Sequence, residues 1–161
     1  MAISAPTKSE QYTNLAATPP VLNASRDNCE LRVAYAKLTF TAAGYTTASA
    51  GDLSLLKLPA GKLRIYGQLS RLVLPAATAT ADFDLGWAAY VKSDGTSVAA
   101  DGDGIAASVD VGGGAINQDL DDIANTFEID SKNGVDIVGS FDTANSPASG
   151  DLHLWLVYSK D

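Results

Sequence analysis

The chain has 161 residues, 46% of them hydrophobic and 19% charged, with a formal net charge of −8. That is one domain plus a tail, able to bury a core without staples, and its acidity argues against a nucleic-acid partner. The single cysteine, Cys29, excludes an intrachain disulfide and a cysteine-rich metal cluster. No stretch approaches the ~18 apolar residues of a spanning helix. Met1 to Lys8 lacks the basic start and apolar run of a secretory signal. The expectation is a soluble protein made in a cytoplasm, with no membrane partner. Charge is uneven along the chain: residues 1–81 hold eight Lys/Arg and four Asp/Glu, residues 82–161 three and fifteen. Either the molecule is two-sided or the halves interleave and the asymmetry averages out.

Residues 1–28, rich in Ser, Thr, Ala, Asn and Pro with Pro19-Pro20 near the end, predict an extended N-terminal arm, with the body over 29–161. A period of two begins at Leu31, Val33 and Tyr35, set between Arg32 and Ala34, and runs on through Lys37 to Thr41. Gly44 to Gly51 predicts a loop. Leu53 to Leu58 predicts a strand ended by Pro59-Ala-Gly61, and Leu63 to Tyr66 another, with a bulge or bend at Gly67. Leu72 to Leu74 stops at Pro75. The clearest element is a strand over Asp82 to Val91. Phe83, Leu85, Trp87, Ala89 and Val91 form its buried face; Asp82, Asp84 and Tyr90 belong to its wet face.

Asp94-Gly95 predicts a turn, and Asp101-Gly-Asp-Gly104 and Gly112-Gly-Gly114 predict loops, with one helical turn over Ile105 to Val109. Asn133-Gly134, between Thr126–Asp130 and Val135–Val138, predicts a hairpin. Leu152 to Tyr158 is apolar on both faces and predicts a central strand buried on both sides. Seven or eight short strands, with turn signals about every ten residues, make an all-β protein: an antiparallel two-sheet sandwich of jelly-roll type.

Catalytic and ligand motifs fail on inspection. His153 is the single imidazole and sits mid-strand, without the nucleophile and orienting acid of a triad. Asp82 and Asp84 would stand ~6.6 Å apart on one strand, within the range of inverting glycosidases, yet two acids on one strand do not flank a bond from opposite sides. Asp101-Gly-Asp-Gly104 opens like an EF-hand but has Ile105 and Gly112 where an acid or amide and a Glu are required. A looser site from Asp101, Asp103, Asp119, Asp121 and Asp122 stays open. Gly112-Gly-Gly114 has no following Lys-Ser or Lys-Thr and is no phosphate loop. Trp87, Trp155, Tyr66 and Tyr90 are the candidates for a sugar platform, Tyr90 the best exposed of them. The expectation is no enzyme, no catalytic, cofactor or metal residues, and no cofactor.

The run from Gly51 to Ile65, with its Leu-Pro-Ala-Gly-Lys turn between two strands, resembles the capsid decoration (head-stabilising, cement) proteins of tailed bacteriophages. So do Asp84 to Tyr90, Asp94-Gly-Thr96, Ala100-Asp101, Asp130 to Ile137 and Leu152 to Tyr158. The resemblance spans roughly residues 33–158 and leaves 1–28 and 101–125 unplaced. It implies a structural virion protein on the outer capsid surface that bridges neighbouring copies of the major capsid protein. It also implies a homo-oligomer, a trimer. The alternative from the residues is a carbohydrate- or receptor-binding sandwich module of a phage tail or fibre.

Overall fold

The structure, a computed structural model, describes residues 30–40, 53–77, 81–120, 126–141 and 147–160. The predicted arm, Cys29, the loop at 44–51, Asp121 and Asp122 lie outside the described residues. In chain order the strands are β1 (Leu31–Phe40), β2 (Leu53–Leu58), β3 (Gly61–Tyr66), β4 (Arg71–Leu74), β5 (Asp82–Trp87) and β6 (Tyr90–Val91). There follow β7 (Ser97–Val98), β8 (Asp101–Asp110), β9 (Ile116–Asp119), β10 (Thr126–Ser131), β11 (Val135–Phe141) and β12 (Gly150–Lys160).

Among the described residues all strand pairings are antiparallel. In the larger sheet β12 lies between β1 on one edge and β3 and β4 on the other, with β10 beyond β3 and β9 beyond β4. The smaller sheet has the order β2-β11-β5-β8. β3 and β4 are one strand interrupted: Ile65 sits opposite Tyr158 and Val73 opposite His153, so eight residues of one chain pass five of the other. The 3-10 turn Gly67–Leu69 absorbs the three extra, at the bend predicted from Gly67. The turn opens the ladder at Val157, and Ser70 closes it. Its buried hydroxyl accepts from the Val157 N–H at 2.9 Å and donates to the Tyr66 carbonyl at 2.8 Å, so no buried backbone donor is stranded there.

With β3–β4 and β9–β10 each counted as one, eight long strands remain among the described residues, and they nest: first with eighth, second with seventh, third with sixth, fourth with fifth. That is a jelly roll, a single antiparallel ribbon rolled into two facing sheets. The ribbon stays hydrogen-bonded where it crosses between sheets, through Ala77 N–H to Val111 O (3.0 Å) and Val111 N–H to Ala81 O (2.9 Å). Leu63, Ile65, Leu72, Leu74, Leu152, Leu154 and Leu156 of the larger sheet meet Phe83, Leu85 and Ile137 of the smaller in one buried core.

Four expectations are corrected. The run 132–134 is not a hairpin: β10 pairs with β3 in the larger sheet, while β11 pairs with β2 and β5 in the smaller. Both flanking runs are strands, the second alternating only as far as a register shift at Ile137/Val138, but the turn carries the chain between layers, beside the Pro59-Ala60 crossing from β2 to β3. Gly134 is required there. Its φ is +87°, and a Cβ would lie 2.5 Å from the Leu58 carbonyl oxygen.

The strand predicted over Asp82 to Val91 ends at Trp87. Phe83 and Leu85 are buried as expected, but after Ala88 donates to Asp136 O the chain leaves the sheet, and Ala89 and Val91 are exposed. Tyr90-Val91 pairs instead with Ser97-Val98 around the predicted Asp94-Gly95 turn.

Residues 101–110 form a strand, not a loop and a helical turn. Its register against β5 shifts twice, and these bulges mask the period of two. At one of them Ser108 takes φ 52° with its N–H held by Asp84 Oδ1 at 2.7 Å. Gly86 faces β8 where the Asp101 carbonyl would lie 1.9 Å from a Cβ.

Finally, β12 is central as predicted but not buried on both sides. Leu152, Leu154, Leu156 and Tyr158 are buried, and His153, Trp155 and Val157 are only half-buried.

Gly86→Ala is expected to lose about 2 kcal/mol or more by overpacking, whereas Ser108→Gly is expected to gain ~1 kcal/mol by removing a left-handed non-glycine residue. Urea-denaturation midpoints of the two variants check both signs.

Candidate interaction surface

The phase of β1 decides where the surface lies. Its period of two is as predicted, but the large apolar residues point out: Leu31, Val33 and Tyr35 are 58%, 60% and 51% exposed, while Ala36 and Phe40 fill the core. Residues opposite one another share a face. Val33 is therefore beside Val157, Tyr35 beside Trp155, Trp155 beside Arg71, and His153 beside Val73. The outer face of the larger sheet thus carries an apolar stripe across β1, β12 and β4.

An aromatic stack occupies its middle. The Tyr35 and Trp155 ring centroids are 5.3 Å apart, and His153 stacks on Trp155 at 5.5 Å and 15°. Tyr35 Oη is hydrogen-bonded to His153 Nδ1 at 2.7 Å. The three rings pack on one another in the middle of the stripe, with Tyr35 still half exposed.

The charges around this stripe are neutralised in pairs. Lys37 bridges Asp151 at 3.0 Å, Arg71 bridges Asp119 at 3.3 Å and Arg64 bridges Glu128 at 2.6 Å. Each joins a cation of the basic first half to a carboxylate of the acidic second half, because the ribbon pairs the two halves strand against strand. Among the described residues a fourth such pair, Lys57–Asp136 at 3.7 Å, lies on the smaller sheet. Interleaving is nevertheless incomplete. The strands of the larger sheet hold six cations (Arg32, Lys37, Lys62, Arg64, Arg71, Lys160) and four carboxylates (Asp119, Glu128, Asp130, Asp151). Those of the smaller sheet hold Lys57 against six carboxylates: Asp82, Asp84, Asp101, Asp103, Asp110 and Asp136. The described strands are therefore two-sided in charge, since among them β2 alone brings first-half charge to the smaller sheet.

The residues weighed for chemistry are dispersed into structural work. Asp84 holds the bulge at Ser108. Asp101 pairs with Asp103, whose hydrogen bond, ahead of burial and of its negative charge, raises the Asp101 carboxyl above the ordinary value. Asp119 is on the other sheet with Arg71, and among the described residues no three acids, histidines or cysteines are grouped to hold a metal. Asp110 accepts from the amides of Gly112 and Gly113, which shapes the triglycine turn.

The four aromatics do not converge. Trp87 stacks on Phe127 at 5.6 Å, with its Nε1 buried and unpartnered among the described residues. Tyr66 is hydrogen-bonded to Ser159 at 3.2 Å. Half-buried Tyr90 has its phenol pKa raised by burial and then by Asp130. Sequence reasoning missed Tyr35. The available signal was the apolar second face of β12, which called for apolar neighbours on that side.

No protein-family model and no curated protein matches the chain. Among solved structures, a chain of the cyanophage Pam1 capsid asymmetric unit is similar over 100% of this chain and 94% of its own, at a TM-score of 0.52 and 13% identity. A chain in the acidic stable capsid structure of Helicobacter pylori bacteriophage KHP30 aligns with 80% of this chain and 86% of its own, at a TM-score of 0.43 and 16% identity. One in the infectious bursal disease virus Gt strain structure aligns with 81% of this chain and 32% of its own, at 0.44 and 10%. At these identities the likeness is one of fold, and the first match carries it over the full length.

The Lys37–Asp151 pair gives a pH test. The hydrogen bond from Thr39 (2.6 Å), first, and then Lys37 hold the Asp151 carboxyl below its ordinary value. A depressed carboxylate stabilises the fold above its unfolded-state pKa, and that contribution is lost as pH falls through the folded value. In a carbon-detected NMR titration, Asp151 should therefore titrate below the ordinary carboxylate range, and Thr39→Val should move it back up. An unchanged Asp151 in that variant would refute the assignment.

Proposed function

We propose that this protein is a structural virion protein that binds the outer surface of a phage capsid and stabilises it by bridging neighbouring subunits of the major capsid protein. The observation that carries the reading is the full-length fold likeness to a chain of a phage capsid asymmetric unit. The sequence resemblance to decoration proteins supports it, and its Leu58-Pro-Ala-Gly61 turn is the crossing where the ribbon passes from one sheet to the other. The engagement of Asp84 in a bulge, of Asp119 in an ion pair on the other sheet, and of Asp101 with Asp103 supports a role without catalysis. An acidic face and a charge-paired apolar face on opposite sheets suit a protein with one side toward solvent and one toward an assembly.

In this reading residues 1–28 are the extended arm that makes capsid contacts beyond the body, and the protein works as a homo-oligomer, a trimer.

Purified full-length chain should co-sediment with particles from which it is absent, and cryo-electron microscopy of those particles should place it on the outer shell. A variant lacking residues 1–28 should fold, by circular dichroism, and bind on the order of 100-fold more weakly, as when central contacts of an interface are removed. No binding by the full-length chain would overturn the capsid role; undiminished binding by the truncated one would overturn the role of the arm.

A further inference from the structure

We infer that Asn133-Gly134, in the turn that carries the chain from β10 to β11, is a site of spontaneous backbone modification, where Asn133 closes on the Gly134 nitrogen to a succinimide that opens to aspartate and isoaspartate. The inference stands apart from the virion reading and is decided on the purified chain.

The chemistry needs an asparagine side chain free to turn on its own backbone, and a following amide nitrogen that is neither shielded nor engaged. Among all the asparagines of the chain, Asn133 alone precedes a glycine. The fold leaves the pair open. Asn133 is exposed, and its side chain has no hydrogen-bond partner among the described residues. The Lys132 N–H is held by Val91 O at 2.8 Å, but the Gly134 N–H has no acceptor among the described residues. Without a Cβ, Gly134 leaves its nitrogen unshielded. Asn117 is the contrasting case. Its Oδ1 accepts from Arg71 Nε at 2.6 Å, and the next residue, Gln118, is paired with Leu72 in the sheet. Lys132 in the turn and Lys57, whose Cε is 3.3 Å from where a Gly134 Cβ would lie, set positive charge beside the anion that the attack creates, with Asp136 paired to Lys57.

The bond changes balance with water as the added reactant. The Gly134 nitrogen loses its proton and bonds to Asn133 Cγ. The Cγ–Nδ2 bond breaks, and ammonia leaves with that proton. Water then splits the imide. Cleavage between the nitrogen and Cγ gives aspartate on an unchanged backbone. Cleavage between the nitrogen and the Asn133 carbonyl carbon gives isoaspartate, whose main chain runs through Cβ and Cγ and is one carbon longer.

That carbon falls where the fold has no slack. Ser131 is fixed opposite Gly61 in the larger sheet and Val135 opposite Leu58 in the smaller. Between them Gly134 passes so near the Leu58 carbonyl that a Cβ would lie 2.5 Å from its oxygen. The isoaspartyl product therefore strains the crossing between the sheets, while the aspartyl product leaves it intact and adds one negative charge to the net −8.

Purified full-length chain aged at pH 6, 7 and 8 tests this, read by peptide mass spectrometry and by methylation with an isoaspartate-specific methyltransferase. Asn133 should gain the mass of an amide-to-acid exchange and take the methyl label, and Asn117 should not. The rate should rise about tenfold per pH unit, because the attack needs the deprotonated nitrogen. Asn133→Gln, whose longer side chain would have to close a larger ring, should lose both signals at this position and keep its melting temperature on ageing, while that of the wild type falls. Fresh Asn133→Asp should melt as fresh wild type does, which assigns the fall to the longer backbone and not to charge. An Asn133 that converts in urea but stays intact in the folded chain overturns the proposal, as does equal conversion at Asn117. Conversion with an unchanged melting temperature overturns the effect on the crossing.

Discussion

β12 is hydrogen-bonded along both edges, to β1 on one side and to β3 and β4 on the other, and the rest of the architecture depends on that double pairing. The last strand of the chain must enter beside the first, so Leu31 meets Ser159 and everything between is drawn into nested pairs. Such long-range pairing forms late and at high entropic cost, so each closing pair needs a local reward. Some of that reward is electrostatic. A basic first half and an acidic second half place Arg64 opposite Glu128, Arg71 opposite Asp119 and Lys57 opposite Asp136. Individual exposed pairs contribute little. A slip by one residue would remove all three and turn each core stripe toward solvent, so together they favour one register.

Where alternation was regular, the sequence was readable. Leu152 to Tyr158, Leu63 to Tyr66 and Phe83 to Leu85 showed their buried faces plainly, because a period of two survives wherever a strand pairs without irregularity. It failed where pairing is irregular. The bulges of β8 hid a ten-residue strand behind glycines and aspartates that read as loop. The Asn133-Gly134 turn has hairpin chemistry, and composition cannot say whether the strands it joins stay in one sheet or diverge into two. That depends on Val135 pairing with Leu58 in the smaller sheet while Ser131 pairs with Gly61 in the larger, contacts between distant stretches of the chain.

The candidate surface was half legible. The periodicity of β1 was visible, but its phase was not, because alanines rather than large residues occupy the inner positions 34 and 36. The narrow inner side fits against a core already filled by Leu154 and Leu156, the residues opposite, which leaves the bulky side chains to face outward. The failure of the catalytic motifs in the sequence rests on a different ground. A triad or a carboxylate pair needs several residue types in relation, and one histidine on a strand has no such relation to offer.

The adjacency of Leu31 and Ser159 has a mechanical consequence. Pulling the body by its first and last strands would load the β1–β12 ladder at its end, and the hydrogen-bonded pairs would separate in succession, as a zipper opens. The same ladder loaded in opposite directions along its strands would have to break many pairs at once. A load on this domain is therefore borne best when it is applied across the broad face of the sheet, and worst when it pulls Leu31 and Ser159 apart.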